Sequence, residues 1–66
     1  MHTKEALVNI DGKTLRHFRI EHDWSQAELG RRARITQTRV SEIERGLPAR
    51  PDETKRLLKA LTGGKR

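Results

Sequence analysis

Two helix-start signals stand close together in the middle of this chain, and they constrain its fold more than any other feature. Ser25-Gln26-Ala27-Glu28 has the form of a capping box. The Ser25 hydroxyl can accept from the Glu28 N–H, and the Glu28 carboxylate can reach back to the Ser25 N–H. Thr36 is a second N-cap. The stretch between them has room for one short helix, to about Ala33, and a turn of about three residues. Thr36 then opens a helix from Gln37 to Arg45, and Gly46 stops it as a C′ glycine. Apolar residues fall where two packed helices need them: Leu29 and Ala33 on the first, Ile35 in the turn, Val40 and Ile43 on the second. Gly30 stands where two steeply crossed helices come closest and need a small side chain. An ordinary helical hairpin would share the apolar period. It would require neither the small residue at 30 nor the polar Gln37-Thr38-Arg39 opening.

The flanks extend this pair into an all-α domain. Asp11 can cap a first helix that runs to about His22, with Leu15, Phe18 and His22 on its inner face. Asp23-Trp24 breaks that periodicity, and Trp24 is expected to anchor the junction with the second helix. Leu47-Pro48-Ala49-Arg50-Pro51 cannot be helical throughout, because two prolines fall in five residues. Asp52-Glu53 then place negative charge at the start of a fourth helix. Leu57, Leu58 and Leu61 are its apolar face, and Gly63-Gly64 end it. Residues 1–10 read as an extended arm, with Ala6, Val8 and Ile10 alternating, and 64–66 as a basic tail. The expectation is a compact bundle of four or five short helices spanning 11–63.

Composition narrows the function. With 66 residues and 32% of them hydrophobic, the core is small. A chain of this size buries only about 60% of its unfolded surface. A dimer or a bound partner is therefore expected to supply part of the stability. The chain has no cysteine, which excludes disulfides and thiolate zinc sites. His2, His17 and His22 lack metal-ligand spacing, so no metal and no cofactor is expected. Nothing in the chain forms a nucleophile–base pair or a glycine-rich phosphate loop, so no enzyme is expected. No apolar run approaches the roughly 20 residues of a membrane span, and no signal-peptide core follows Met1. A soluble intracellular protein is expected.

The net charge is +6, and it is lopsided. Residues 1–30 carry −1 and residues 31–66 carry +7. Ten of the fifteen cations are arginine, whose planar fork suits phosphates and guanine edges. A basic half on a small chain points to nucleic acid. A membrane surface would instead need one long basic amphipathic helix, and these cations are spread over several short segments.

Leu15 to Gly46, with Arg19, Trp24-Ser25-Gln26, Glu28-Leu29, Val40-Ser41 and Ile43-Glu44-Arg45-Gly46, resembles the phage repressor and Cro family, the XRE-type helix-turn-helix. The resemblance covers about half the chain closely and extends loosely through the fourth helix. It implies a lambda-repressor-like bundle that binds double-stranded DNA, usually as a two-fold homodimer on a palindromic operator. It also implies a cytoplasmic, bacterial or phage-encoded regulator associated with the nucleoid. The third helix then enters the major groove, N-terminal residues first. Its outward residues Gln37, Thr38, Ser41 and Glu42, with Arg39 on the flank, are the candidate base contacts. Gln26, the family's phosphate-clamping glutamine, joins Thr36, Arg45 and Arg50 as candidate phosphate contacts. Arg19 and Glu44 resemble a structural ion pair joining helix 1 to helix 3. The chain departs from the family pattern at Arg34 and Asp23, where glycine is usual, and at Gly30, where alanine is more frequent. A second reading keeps the fold and makes the chain an antitoxin or accessory subunit gripping a protein partner through Leu7, Val8, Ile10 and Ile20.

Overall fold

The computed structural model describes residues 10–63. The arm at 1–9 and the tail at 64–66 lie outside the described residues. Four helices follow one another: α1 (Gly12–Glu21), α2 (Gln26–Ala33), α3 (Gln37–Glu44) and α4 (Pro51–Leu61). Among the described residues there is no strand. The fold is a small all-α bundle.

Each helix begins where a side chain or a proline satisfies its free N–H groups. Asp11 accepts from the Thr14 N–H at 2.8 Å, Ser25 from the Glu28 N–H at 3.0 Å, and Thr36 from the Arg39 N–H at 3.0 Å. At α4, Pro51 opens the helix, where its missing N–H is no loss. The Glu53 carboxylate accepts from the Arg50 N–H at 2.9 Å. The capping box expected at Ser25 is only half made. The Glu28 carboxylate instead takes Arg31 at 2.5 Å and Arg32 at 2.6 Å, because two guanidinium groups outcompete one amide.

The core is Leu15, Leu29, Ala33, Val40, Ile43, Leu57 and Leu61. Helix α2 packs against both α3 and α4, and α1 packs against α3. Gly30 allows the first of these contacts: a Cβ there would lie 2.7 Å from the Ile35 carbonyl oxygen. Gly12 allows the last, since a Cβ would lie 2.5 Å from the carbonyl oxygens of Ile43 and Glu44. Trp24, Ile10 and Ile35 are half-buried against the core.

Three details differ from the sequence expectation, the first being that His22, placed on the inner face of α1, is exposed and only its ring Nε2 reaches the bundle, at 2.7 Å from the Leu61 carbonyl oxygen. Phe18, expected inside, is 40% exposed, because α1 turns Leu15 and Arg19 toward the bundle instead. Leu58 is only half-buried, while the polar Glu53 and Thr54 are buried. Thr54 is fully enclosed and its hydroxyl oxygen has no hydrogen-bond partner. An enclosed hydroxyl without a partner is destabilising, so Thr54→Val is expected to raise the unfolding free energy by about 1–2 kcal/mol. Chemical denaturation would read this as a higher midpoint at unchanged m-value.

Among the described residues two other than glycine sit in the left-handed region, Asp23 and Arg34, both at φ 63°. Asp tolerates that geometry, whereas arginine is strained there by roughly 1–2 kcal/mol. Glycine relieves the strain but gives the unfolded chain more freedom, worth roughly 0.5–1 kcal/mol. Arg34→Gly is therefore expected to stabilise the fold by the difference, a rise in melting temperature of a few degrees.

Candidate nucleic-acid interface

Helix α3 buries one face and exposes the other. Val40 and Ile43 are fully enclosed. Gln37 and Thr38, in its first turn, are exposed, and Ser41 and Glu42 are half-buried. The free backbone N–H groups of that first turn point the same way as the helix dipole, which favours an anion or an electron-rich edge in front of them. Thr36 is exposed just before the helix, although its hydroxyl already accepts from Arg39.

Two polar clusters hold α3 in place. At its C-terminal end the Arg19 Nε donates to Glu44 Oε2 at 2.6 Å and Nη2 to Oε1 at 3.1 Å. Nη1 donates to the Trp24 carbonyl at 2.8 Å. Gln26 adds a bond from Nε2 to Glu44 Oε1 at 3.1 Å. Arg19 and Glu44 are therefore in contact across α1 and α3, and Gln26 is tied to them from the start of α2.

The second cluster is centred on Arg39. Its Nε donates to Glu53 Oε2 at 2.8 Å and its Nη2 to Glu53 Oε1 at 2.9 Å. Nη2 also reaches the Pro48 carbonyl at 2.9 Å, and Nη1 reaches Glu42 at 3.3 Å. The structure thus turns Arg39 toward α4 and the preceding loop. Sequence reasoning placed it free on the flank and missed its partner, which lies 14 residues on. The signal available was Glu53 at the third position of a helix without an Asp, Ser or Thr cap.

The Arg39 guanidinium holds the Glu53 carboxyl below the ordinary glutamate value of 4.5, outweighing the opposing effect of burial, and the Arg50 N–H adds a smaller lowering. Glu28 and Asp11 are lowered too, Glu28 by Arg31 and Asp11 by the Thr14 N–H. A carboxylate with a depressed folded pKa contributes stability that is present above its unfolded pKa and lost as pH falls through the folded one. Stability is therefore expected to decline below about pH 4.5. Glu53→Gln should be less stable than the parent at pH 7, with the gap closing on acidification. Thermal melts across pH 3–7 would check this, and a gap independent of pH would count against it.

Arg45 and Arg50 are exposed on either side of the loop that follows α3. Among the described residues neither makes an ion pair. The arrangement is a helix, anchored by two polar clusters, that presents hydrogen-bonding side chains at its tip with exposed cations beside it. Among the described residues no group of side chains is placed to hold a metal ion, and no helix is long and apolar enough to cross a membrane.

Residues 12–63 match a protein family described as a helix-turn-helix domain. No curated protein and no solved structure matches the chain.

Proposed function

The chain belongs to the helix-turn-helix domain family, and on that premise we propose that it is a sequence-specific regulator of transcription, a repressor that holds an inverted-repeat operator as a homodimer. The observation that carries this reading is the exposed pair Gln37 and Thr38 at the tip of a helix whose opposite face is fully enclosed. Gln37 can pair with adenine N6 and N7, and Thr38 can meet a thymine methyl. Ser41 and Glu42 extend the reading surface, with Glu42 suited to cytosine N4. Arg39 keeps its place in the interface as the group that positions Glu42 and braces the helix against α4. Gln26, Thr36, Arg45 and Arg50 meet the phosphates. Arg19 and Glu44 serve as the structural pair that fixes the angle of α3.

Selection of bound sequences from random duplex DNA, followed by footprinting, tests this. An inverted repeat with half-site centres about 10 bp apart, or a multiple of that, is expected. An unpaired half-site at saturation would contradict the dimer, and no enriched sequence at all would contradict base reading.

A second reading is favoured by the exposure of Phe18 at 40% and Ile20 at 53% on α1. These two side chains lie on different faces of α1, and either exposed apolar group suits a protein contact, as an antitoxin or accessory subunit would need. Sedimentation of the purified chain separates the two, since a dimer without any other partner supports the first.

A further inference from the structure

A cleft of about 540 Å³ lies between α2 and α4, and the proposed DNA-reading residues take no part in it. Four cations line it: Arg32 and Arg34 from the end of α2 and the turn after it, Arg56 and Lys59 from α4. Its floor includes Ala33 and Ala60, whose small side chains leave the space open. No carboxylate is among its lining residues. Arg32 is bonded to Glu28 and Arg56 to Asp52, but both arginine side chains stay about half exposed. Among the described residues Arg34 and Lys59 make no ion pair at all.

Cations near helix C-termini offset the negative end of the dipole, and that accounts for Arg32 and Lys59, which stand in the last turns of α2 and α4. It does not account for the other two. Arg56 lies mid-helix, and its Nη1 reaches across to the Arg34 carbonyl at 3.3 Å, which draws the two walls together. Arg34 occupies a left-handed backbone at φ 63°, where an arginine is strained and the fold would be more stable without it. Strain kept at a residue that lines a charged cleft points to a use for its side chain.

We propose that this cleft is a binding site for a small phosphorylated ligand carrying two or more phosphate groups. The volume lies within the range of small-molecule sites. Arg34 and Lys59, unpaired among the described residues, converge with two cations that stay about half exposed beside Glu28 and Asp52; this matches a compact polyanion, and arginine forks suit phosphate oxygens. The bound ligand bridges the α2–α3 turn to the end of α4, which ties an effector to the two elements that flank the recognition helix. The site stands on its own residues and does not depend on DNA binding.

Trp24 is the single tryptophan, and Arg32 lies over its ring at 4.4 Å, so its fluorescence reports on the cleft. The experiment titrates inorganic tripolyphosphate into the full chain at about 0.15 M salt, followed by Trp24 fluorescence and by calorimetry. Saturable binding of one ligand per chain is expected. Arg34→Gly and Lys59→Ala should each weaken it by about tenfold or more, while Arg16→Ala, which removes an exposed cation of α1 outside the cleft, leaves it unchanged. Arg34→Gly is expected to be the more stable protein, so its loss of binding cannot come from unfolding. A titration that does not saturate overturns the proposal. So does an equal loss in Arg16→Ala, which would mean diffuse attraction to net charge. If Lys59→Ala instead lowers the salt dependence of duplex binding and tripolyphosphate fails to saturate, the cleft is a DNA contact and the proposal falls.

Discussion

Glu44→Ala is expected to lower the unfolding free energy by about 2–4 kcal/mol, a large fraction of what a domain this small has to lose. The Glu44 side chain is 5% exposed and the Arg19 side chain 14%, so water cannot replace what either one loses. Removing the carboxylate strands a guanidinium that keeps only the Trp24 carbonyl, and it leaves the Gln26 amide without its acceptor. Breaking one half of an enclosed ion pair is worse than removing both halves, because the remaining charge is left desolvated. Arg19→Met combined with Glu44→Leu should therefore recover most of the loss. Urea denaturation of Glu44→Ala and the double variant would check this. A double variant no more stable than Glu44→Ala would mean that the pair itself, and not the stranded charge, sets the effect.

The helices were legible because their signals are local. A cap and the N–H it serves lie three residues apart, as at Ser25 and Glu28 or Thr36 and Arg39, and a buried stripe such as Val40 and Ile43 repeats once per turn. Gly30 was legible for the same reason: the turn that brings Ile35 against it is only a few residues long.

What escaped the sequence depends on partners far along the chain. Periodicity put Phe18 inside α1, because hydropathy ranks phenylalanine above arginine. The enclosed position went to Arg19, whose charge is met by a carboxylate 25 residues away; that pair was suggested only by the family resemblance. Glu53 and Thr54 look like a solvated helix start, yet both are buried, Glu53 because Arg39 neutralises it. The cationic cleft was illegible too. Nothing local shows that Arg34 and Arg56 converge.

The second large effect concerns DNA. Gln37 stands at the tip of α3 and Arg50 at the start of α4, and both are exposed. The Arg50 side chain takes no part in capping α4, since only its backbone N–H is used. Each can therefore be truncated without disturbing the fold. A side chain that reads a base affects one position of the operator, by roughly 1–3 kcal/mol for a good bidentate contact. A cation on a phosphate affects every sequence alike and contributes about one released counterion. The two roles are thus separable in a single set of titrations.

The most direct measurement is the affinity of the parent chain, Gln37→Ala and Arg50→Ala for the selected operator and its single-base variants, each at several salt concentrations. Gln37→Ala is expected to lose discrimination at one base pair of each half-site while its salt slope stays that of the parent. Arg50→Ala is expected to weaken all sequences equally and to reduce the slope by about one unit per subunit. If Gln37→Ala weakened every sequence equally and kept its discrimination, α3 would not be the helix that reads DNA.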